Sequence, residues 1–496
     1  MQTVPHQQPA SPSAADYTVV IIGSGFSGLC MGIALKKAGV TDFVILEKDT
    51  DFGGTWRVNT YPGAACDVPS HLYSFSFAQN AHWSRTFPTQ PELLAYTERV
   101  ATDHGMLAHI QQGCAFLGAD FDETHGLWRV RTGRGDLTAK VLVSATGALS
   151  RPALPALRGI NTFTGKVFHS AHWDHGYDLA GKRVAVVGTG ASAIQFIPEI
   201  VKKVAQLDVF QRTPPWVLPR PDRAITAPEK WLLQHVKPLQ WLYRGLNYVH
   251  YEMRFLAFAK IPALMKLFEM QAKRHIEKQI PHDAALRAKV TPSYTMGCKR
   301  ILIMNSYYPA LAQPHVAVFN DPIAEVRAHS IVLHSGKERE VDAIIFGTGF
   351  DVEHSMGTVE IKGRSGCLLS QSAHGGLEAY KGTALAGFPN FFMIIGPNTG
   401  LGHNSMVYMI ESNVVYVLAA VLLIKAKQLH SVEVKPDVVR NFNATIQKRL
   451  STTVWNSGCK SWYLAAGGKN NTLWPGFTFE YRKITKKFDA AAYTLL

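Results

Sequence analysis

The sequence has no CxxC pair, no apolar run long enough to span a bilayer, and too few acids for its bases. Its six cysteines, Cys30, Cys66, Cys114, Cys298, Cys367 and Cys459, lie far apart among 496 residues. That spacing excludes a redox dithiol motif and zinc-finger ligation. In a chain this long and this hydrophobic they are expected as buried, reduced thiols and not as a disulfide framework. The longest apolar run, Val414 to Ile424, falls short of the about 20 residues a bilayer requires, so no transmembrane segment is expected. Residues 1–16, rich in Gln, Pro, Ser and Ala, lack the basic start and apolar core of a secretory signal and read as a flexible tail. A cytoplasmic protein is expected. The 40 glycines follow no G-x-y period, which excludes collagen. Charged residues make up 18% against 47% hydrophobic ones, so a disordered polyelectrolyte is excluded as well.

What is present is enough chain for roughly three domains at about 150 residues each, carrying 51 Lys+Arg against 37 Asp+Glu, a formal charge of +14. Such a balance fits nucleic acid, an anionic membrane surface or anionic cofactors such as dinucleotides. Local motifs separate these readings. The apolar strand Tyr17 to Ile22 runs into Gly23-Ser24-Gly25-Phe26-Ser27-Gly28, a helical stretch continues to Lys37, and a second strand, Phe43 to Leu46, ends on Glu47. In such a frame the first glycine makes the tight turn, the second lets backbone approach a pyrophosphate, and the third packs helix on strand. The helix N-terminus offers N–H groups to the phosphates, and an acid 19 residues after Gly28 stands where ribose hydroxyls are bound.

The pattern occurs twice. The strand Arg183 to Val187 leads into Gly188-Thr189-Gly190-Ala191-Ser192-Ala193, followed by a helix and the strand Leu207 to Phe210. At the same offset of 19 residues stands Arg212, a cation suited to the 2′-phosphate of NADP, with Thr213 and Lys299 as the further candidates. One acid-tipped and one base-tipped site predict two different dinucleotides, one passing electrons to the other.

Segment 226–290 is rich in Trp, Leu, Tyr, Phe, Lys and His and reads as amphipathic helices over Trp231 to Tyr251 and Met253 to Ile280. A cap on the neighbouring domain and a membrane-surface or partner-docking face both fit it. Short strands follow between Val316 and Gly349, clearest at Ile331 to Leu333 and Ala343 to Phe346, and a buried strand is expected at Phe391 to Ile395.

Several motifs now add up. Gly53-Gly54-Thr55-Trp56 and Tyr61-Pro62-Gly63-Ala64-Ala65-Cys66-Asp67 follow Glu47, then His71-Leu72-Tyr73. Ser144-Ala145-Thr146-Gly147 and Gly347-Thr348-Gly349 recur where a chain would cross between two nucleotide domains. The stretch from Phe163 through Gly165, His169 and Trp173 to Asp174 is similar, at every fixed position, to the fingerprint F-x-G-x-x-x-H-x-x-x-W-P/D. The chain therefore resembles the type I Baeyer–Villiger monooxygenases, flavin enzymes of class B, from residue 17 almost to its end. The resemblance implies an α/β fold of two Rossmann-like dinucleotide-binding domains with a helical insertion. Residues 17–150 and 385–496 would form the FAD domain, 151–225 and 291–384 the NADP domain, and 226–290 the insertion or cap.

The resemblance also implies FAD and NADPH as cofactors, O2 as co-substrate and a ketone as the acceptor of one oxygen atom. By it, Gly54, Thr55, Trp56 and Tyr73 join Gly23, Gly25, Ser27, Gly28 and Glu47 on the FAD side. Gly188, Thr189, Gly190 and Ser192, with Arg212, Thr213 and Lys299, serve NADP. His169 and Trp173 are linker residues that transmit cofactor state. Gly297-Cys298-Lys299-Arg300 is similar to the segment that brings an arginine over the flavin, and Asp67 is the carboxylate that orients it. The chemistry agrees: a C4a-peroxyflavin attacks a carbonyl only as its anion and leaves an oxyanion. An always-charged forked donor stabilises both without giving up a proton.

Other readings are weaker. His169, His172 and His175 stand at metal-ligand spacing, but no paired carboxylates or thiols accompany them, so no metal is expected. Oxidation of sulfides or amines is the alternative within flavin monooxygenases. A thiol–disulfide reductase needs the missing CxxC, and a basic RNA-binding protein leaves Glu47, the fingerprint and both glycine turns unexplained, so no nucleic-acid partner is expected. Arg57-Val58-Asn59-Thr60, Ala65 and the turn Asn398 to Ser405 depart from well-known members, and the substrate pocket stays unassigned.

Overall fold

A computed structural model describes residues 15–352, 359–372, 376–459, 461–465 and 467–496. The tail expected over residues 1–16 lies, but for its last two residues, outside them. Asp16 is already tied to the fold: its carboxylate accepts the Thr138 N–H at 2.7 Å.

Strands rich in Val and Ile, buried on both faces, favour a parallel sheet covered by helices. Tyr17–Ile22 is such a strand, with Val19, Val20 and Ile21 fully buried. It lies at the centre of an eight-stranded sheet, pairing in parallel with Phe43–Leu46 on one side and Leu137–Ser144 on the other. Beyond Leu137–Ser144 the chain adds the antiparallel strands Leu127–Thr132 and Phe116–Asp122. Phe391–Met393 also pairs with Leu137–Ser144, returning the C-terminal part of the chain to this sheet. The second sheet has five parallel strands, in the order Val316–Phe319, Gln206–Phe210, Arg183–Val187, Ala343–Phe346, Lys166–His169. An antiparallel ribbon of Ile323–Val326, Ser330–Leu333 and Glu338–Glu340 stands apart from both sheets. Both dinucleotide-binding units are therefore built as the repeated glycine turn suggests.

The two units are joined twice, by segments running side by side. The Ala153 N–H donates to the Gly349 carbonyl oxygen, and the Asp351 N–H to that of Arg151, each at 2.9 Å. After this crossing the chain regains the first sheet sooner than the expected changeover at residue 385. Glu360–Lys362 already pairs in parallel with Phe116–Asp122. The strand is only three residues long and carries two charges, so no apolar periodicity announces it.

The insertion forms helices Ala227–His235, Lys237–Met253, Ala263–Gln279 and Ala284–Val290, with a short π-helical turn at Leu256–Lys260. The two long helices expected from periodicity are each broken. Val236 leaves the helical region just before Lys237-Pro238 (φ −109°, ψ 80°), and Ile261 does so before Pro262 (φ −134°, ψ 73°). Proline has no N–H to continue the old helix but fits the first turn of a new one, and Pro262 also disfavours helix in Ile261 ahead of it.

The run Val414 to Ile424 belongs to a longer helix, Met406–Lys427, which is long and apolar enough to cross a membrane. Yet 67% of its apolar window is buried inside the protein. It packs along Phe26–Lys37, the helix that follows the first glycine turn. A core position explains its composition.

One expectation fails outright. Cys298 and Cys459 form a disulfide with their Cα atoms 6.3 Å apart, while Cys30, Cys66, Cys114 and Cys367 are free thiols. A separation of 161 residues hides the pair from any reading of spacing. Tertiary packing creates it: a Cβ on Gly297 would stand 3.0 Å from Val454 Cγ2, so the two segments already touch.

Candidate active site

The first glycine turn is a cradle in which side chains do not fit. Gly23 has φ +100°, and a Cβ on Gly28 would lie 1.9 Å from the Gly23 carbonyl oxygen. Gly54 comes up against it, since a Cβ there would lie 2.9 Å from Gly25 Cα. Two glycines from different loops thus face each other without side chains, beside the start of a twelve-residue helix. That geometry fits a pyrophosphate. Glu47 is buried at the end of its strand. One oxygen accepts from the Ser24 hydroxyl and, at 3.3 Å, from the Ser24 N–H; the other accepts the Asp49 N–H at 3.0 Å. Trp56 Nε1–H donates to the Tyr73 hydroxyl at 3.3 Å, and Tyr73 packs on Phe26 with ring centroids 5.5 Å apart. Burial pushes the Tyr73 phenol upward, so it stays protonated. Ser27 is buried in the same turn, and Thr55 is exposed beside Gly54. The residues chosen from the sequence therefore converge on one cradle, and their donor set fits FAD.

The second turn repeats that backbone. Gly188 has φ +98°, and a Cβ there would lie 2.6 Å from the carbonyl oxygen of Gly347, the residue that opens the crossing segment. Gly190 has 3.5 Å to the same oxygen; Thr189 is buried and Ser192 half-buried. The strand Gln206–Phe210 ends next to exposed Arg212 and half-buried Thr213. Lys299 stands with its Nζ 4.9 Å from the Tyr294 ring centroid. Burial first, and then the charge of Arg212, lowers the Lys299 ammonium below the usual lysine range. Among the described residues neither cation has a carboxylate partner. Two unneutralised cations side by side fit the extra phosphate of NADP.

Asp67 and Arg300 meet across 233 residues. Arg300 Nε and Nη2 donate to the same oxygen, Asp67 Oδ2, at 3.0 and 2.6 Å. Both side chains keep access to solvent, at 34% and 28% exposure. Among the described residues Arg300 Nη1 makes no hydrogen bond. The Asp67 carboxylate holds the guanidinium well above the usual arginine range, against the opposing effect of burial. Arg300 is thus permanently charged, aimed by one carboxylate oxygen, and left with a free N–H. The disulfide ties the segment two residues before it to the loop carrying Tyr463. Tyr463 is buried, its hydroxyl has no partner among the described residues, and burial pushes it up to about 12 although the charge of Arg300 pulls it down.

The fingerprint sits where the two units meet. A Cβ on Gly165 would clash with the Phe163 ring and, at 2.4 Å, with the Asp342 carbonyl oxygen, so only glycine fits. His169 is buried, accepts the Ala171 N–H at 3.0 Å and lies 5.9 Å from the ring of Phe350 on the crossing segment. Burial lowers it to about 4, so it is neutral. His175 turns elsewhere, to Thr60 Oγ1 at 2.8 Å. Asp174 pairs with Lys166 at 2.5 Å. Trp173 packs on Phe168 and on Phe196 of the helix Ala193–Ile200. That helix then grips the loop carrying Asp67: Tyr61 donates to Gln195 Oε1 at 2.9 Å, and Gln195 Nε2 donates to the Ala65 carbonyl oxygen at 2.9 Å. Trp173, the second nucleotide turn and Asp67 therefore share one packed line of contacts.

Gln195, Arg220, Arg244 and Tyr463 were missed from the sequence. Arg220 donates to the Cys66 carbonyl oxygen at 3.1 Å and lies over the Phe87 ring. Arg244, on the insertion, donates to the carbonyl oxygens of His71 and Ser74 at 2.6 and 3.0 Å and so holds the loop that carries Tyr73. An arginine among apolar neighbours was the one available signal.

Comparisons with known proteins agree with this geometry. Residues 20–237 match the family model described as pyridine nucleotide-disulphide oxidoreductase, which covers the first cradle, the second turn and the start of the insertion. The chain is 52% identical to a Baeyer–Villiger monooxygenase of Pseudomonas aeruginosa, over 98% of this chain and 93% of that protein. It is 49% identical to another from Streptomyces coelicolor, over 96% and 92%. Among solved structures, a steroid monooxygenase bound to NADP superimposes with a TM-score of 0.87 at 30% identity, covering 97% of this chain and all of that one. A closed form of cyclohexanone monooxygenase gives 0.87 at 27%, covering 98% and 100%.

Proposed function

The chain belongs to the Baeyer–Villiger monooxygenase family, and from that premise we propose that Arg300, oriented by Asp67, is the cation at the reacting centre. The enzyme is an FAD-containing monooxygenase that uses NADPH and O2 to insert one oxygen atom into a ketone, giving an ester or lactone. FAD, when bound, takes the hydride of NADPH and activates O2. Gly23, Gly25, Ser27 and Gly28 hold its pyrophosphate, Glu47 a ribose, and Gly54, Thr55, Trp56 and Tyr73 the ring side. Gly188, Thr189, Gly190 and Ser192 hold the NADPH pyrophosphate, and Arg212, Thr213 and Lys299 its extra phosphate.

The observation that carries the reading is the Asp67–Arg300 pair. A guanidinium cannot give up its proton at any working pH, so it stabilises a developing oxyanion and protonates nothing. Asp67 fixes its direction and leaves Nη1 to face the substrate. Sulfide oxidation profits from a proton donor, which this pair is not. The domain reading has residues 17–150 and the C-terminal part of the chain serving FAD, and the five-stranded unit serving NADPH. His169 and Trp173 are positioning residues between them. The proposed place of work is the cytoplasm; that membrane contact is peripheral and not spanning is supported by the burial of the helix Met406–Lys427.

The test is a panel of ketones and sulfides with NADPH under isotopically labelled O2, run on wild type and Arg300→Ala. Wild type should form labelled ester. The variant should lose ester formation by about a hundredfold or more, as when a preorganised oxyanion donor is removed, yet keep oxidising NADPH and release hydrogen peroxide. Near wild-type ester formation by Arg300→Ala removes the arginine from the chemistry, and oxygenation of sulfides without ketones replaces the ketone reading.

A further inference from the structure

The helix Lys237–Met253 is inside out. Its inward side carries Gln240, Arg244 and Glu252 beside Tyr251, all buried. Arg244 holds the His71–Ser74 loop, and Glu252 accepts from the Thr478 hydroxyl at 2.8 Å and from Asn404. Its outward side carries Leu242, Leu246, Val249 and Met253, each more than half exposed. Their spacing of four, three and four residues places them on one stripe. Trp241 beside the stripe and Trp231 on the preceding helix are exposed by 54% and 60%. A water-facing helix puts these two kinds of side chain the other way round, and a contiguous apolar patch on a protein surface marks a binding site.

On the two helices that carry the stripe and both tryptophans, the free charge has one sign: Lys237 is exposed and Lys230 half-buried, whereas Glu229 is paired with Arg223 and Glu252 is buried. Leucine and tryptophan on one side with lysine at the margins is the composition of a helix lying in a bilayer interface. We propose that this face docks the enzyme on anionic phospholipid, an inference that rests on the peripheral-contact reading above. Two copies of the chain meeting on this face would bring like charges together, whereas anionic headgroups neutralise them. Docking also sets the bilayer against the helix that holds the Tyr73 loop through Arg244.

FAD-loaded protein is sedimented with vesicles of phosphatidylcholine alone or mixed with phosphatidylglycerol, at low and high salt. Binding should be about tenfold or more stronger to the anionic vesicles at low salt, and weaken as salt rises. The double variant Leu246→Glu/Val249→Glu should lose it while retaining FAD and the oxygenation rate on a water-soluble ketone, which shows that the fold is intact. No vesicle binding by wild type, or equal binding by the double variant, overturns the proposal. So does a wild-type dimer that the double variant turns into a monomer without any vesicle binding, which would make the face a self-interface. Vesicle binding by a protein that oxygenates no ketone would instead overturn the enzymatic reading and leave docking intact.

Discussion

The two glycine turns have nearly the same backbone and opposite ends. Gly23 and Gly188 take φ +100° and +98°, and each abuts a carbonyl oxygen from a crossing segment, Ala145 in one case and Gly347 in the other. The strand that follows ends, in the first unit, on a buried Glu47 that accepts from Ser24 and from the Asp49 N–H. In the second it ends by Arg212, exposed and next to another cation. Backbone geometry sets the place for a pyrophosphate, and the strand-end residue sets which dinucleotide is held. On the proposed reading the buried acid serves ribose hydroxyls, and exposed Arg212 with half-buried Lys299 serves a phosphate.

The comparison breaks most severely at Gly28. An added methyl would overlap the Gly23 carbonyl oxygen at 1.9 Å, and with backbone on the other side the strain cannot relax cheaply. Gly28→Ala should lose FAD by about a hundredfold in apparent affinity, read as flavin absorbance retained through gel filtration; retention equal to wild type would mean the turn can shift. The second site should respond more mildly and more selectively. Arg212→Ala with Lys299→Ala should cost about 1.5–3 kcal/mol of the phosphate contact, or roughly ten- to hundredfold in the NADPH/NADH preference, with FAD content unchanged. An unaltered ratio would make both cations ordinary surface charges.

Much of this comparison is legible in the sequence, because glycine turns are local. The strands Tyr17–Ile22, Phe43–Leu46 and Arg183–Val187 have the bounds that their apolar runs suggest. The resemblance of Gly297-Cys298-Lys299-Arg300 and its surroundings to the family carried the assignment of Asp67 and Arg300, which a bare spacing of 233 residues conceals. What stayed hidden depends on tertiary contact. Gln195 reaches Tyr61 across 134 residues and Arg244 reaches His71 across 173; nothing local marks the first, and only apolar neighbours around an arginine hint at the second. The disulfide was hidden for the same reason. The helix breaks before Pro238 and Pro262 were there to be read, but apolar periodicity ran through them.

A further effect, at most about 3 kcal/mol per group and less after solvent screening, should appear with pH and involve both units. His71 in the first and His169 in the second are each lowered to about 4 from 6.5, by burial first and then by the charges of Arg244 and His172 respectively. Below pH 6.5 the unfolded chain binds protons that the folded chain refuses, so stability falls as pH drops from 6.5 towards 4 and is fully present above that window. Melting temperature against pH should show this slope, and His169→Gln should flatten it. An unchanged slope would mean that His169 titrates normally.

The central claim is that Asp67 acts only through Arg300, and a double-mutant cycle on ketone oxygenation tests it most directly. Ester formation and peroxide release are measured together for wild type, Asp67→Ala, Arg300→Ala and the double variant. The account predicts a loss of about a hundredfold for Arg300→Ala, a milder loss of about tenfold for Asp67→Ala, and a double variant no slower than Arg300→Ala. If removing Asp67 costs as much without the arginine as with it, Asp67 acts independently of Arg300 and the account is contradicted.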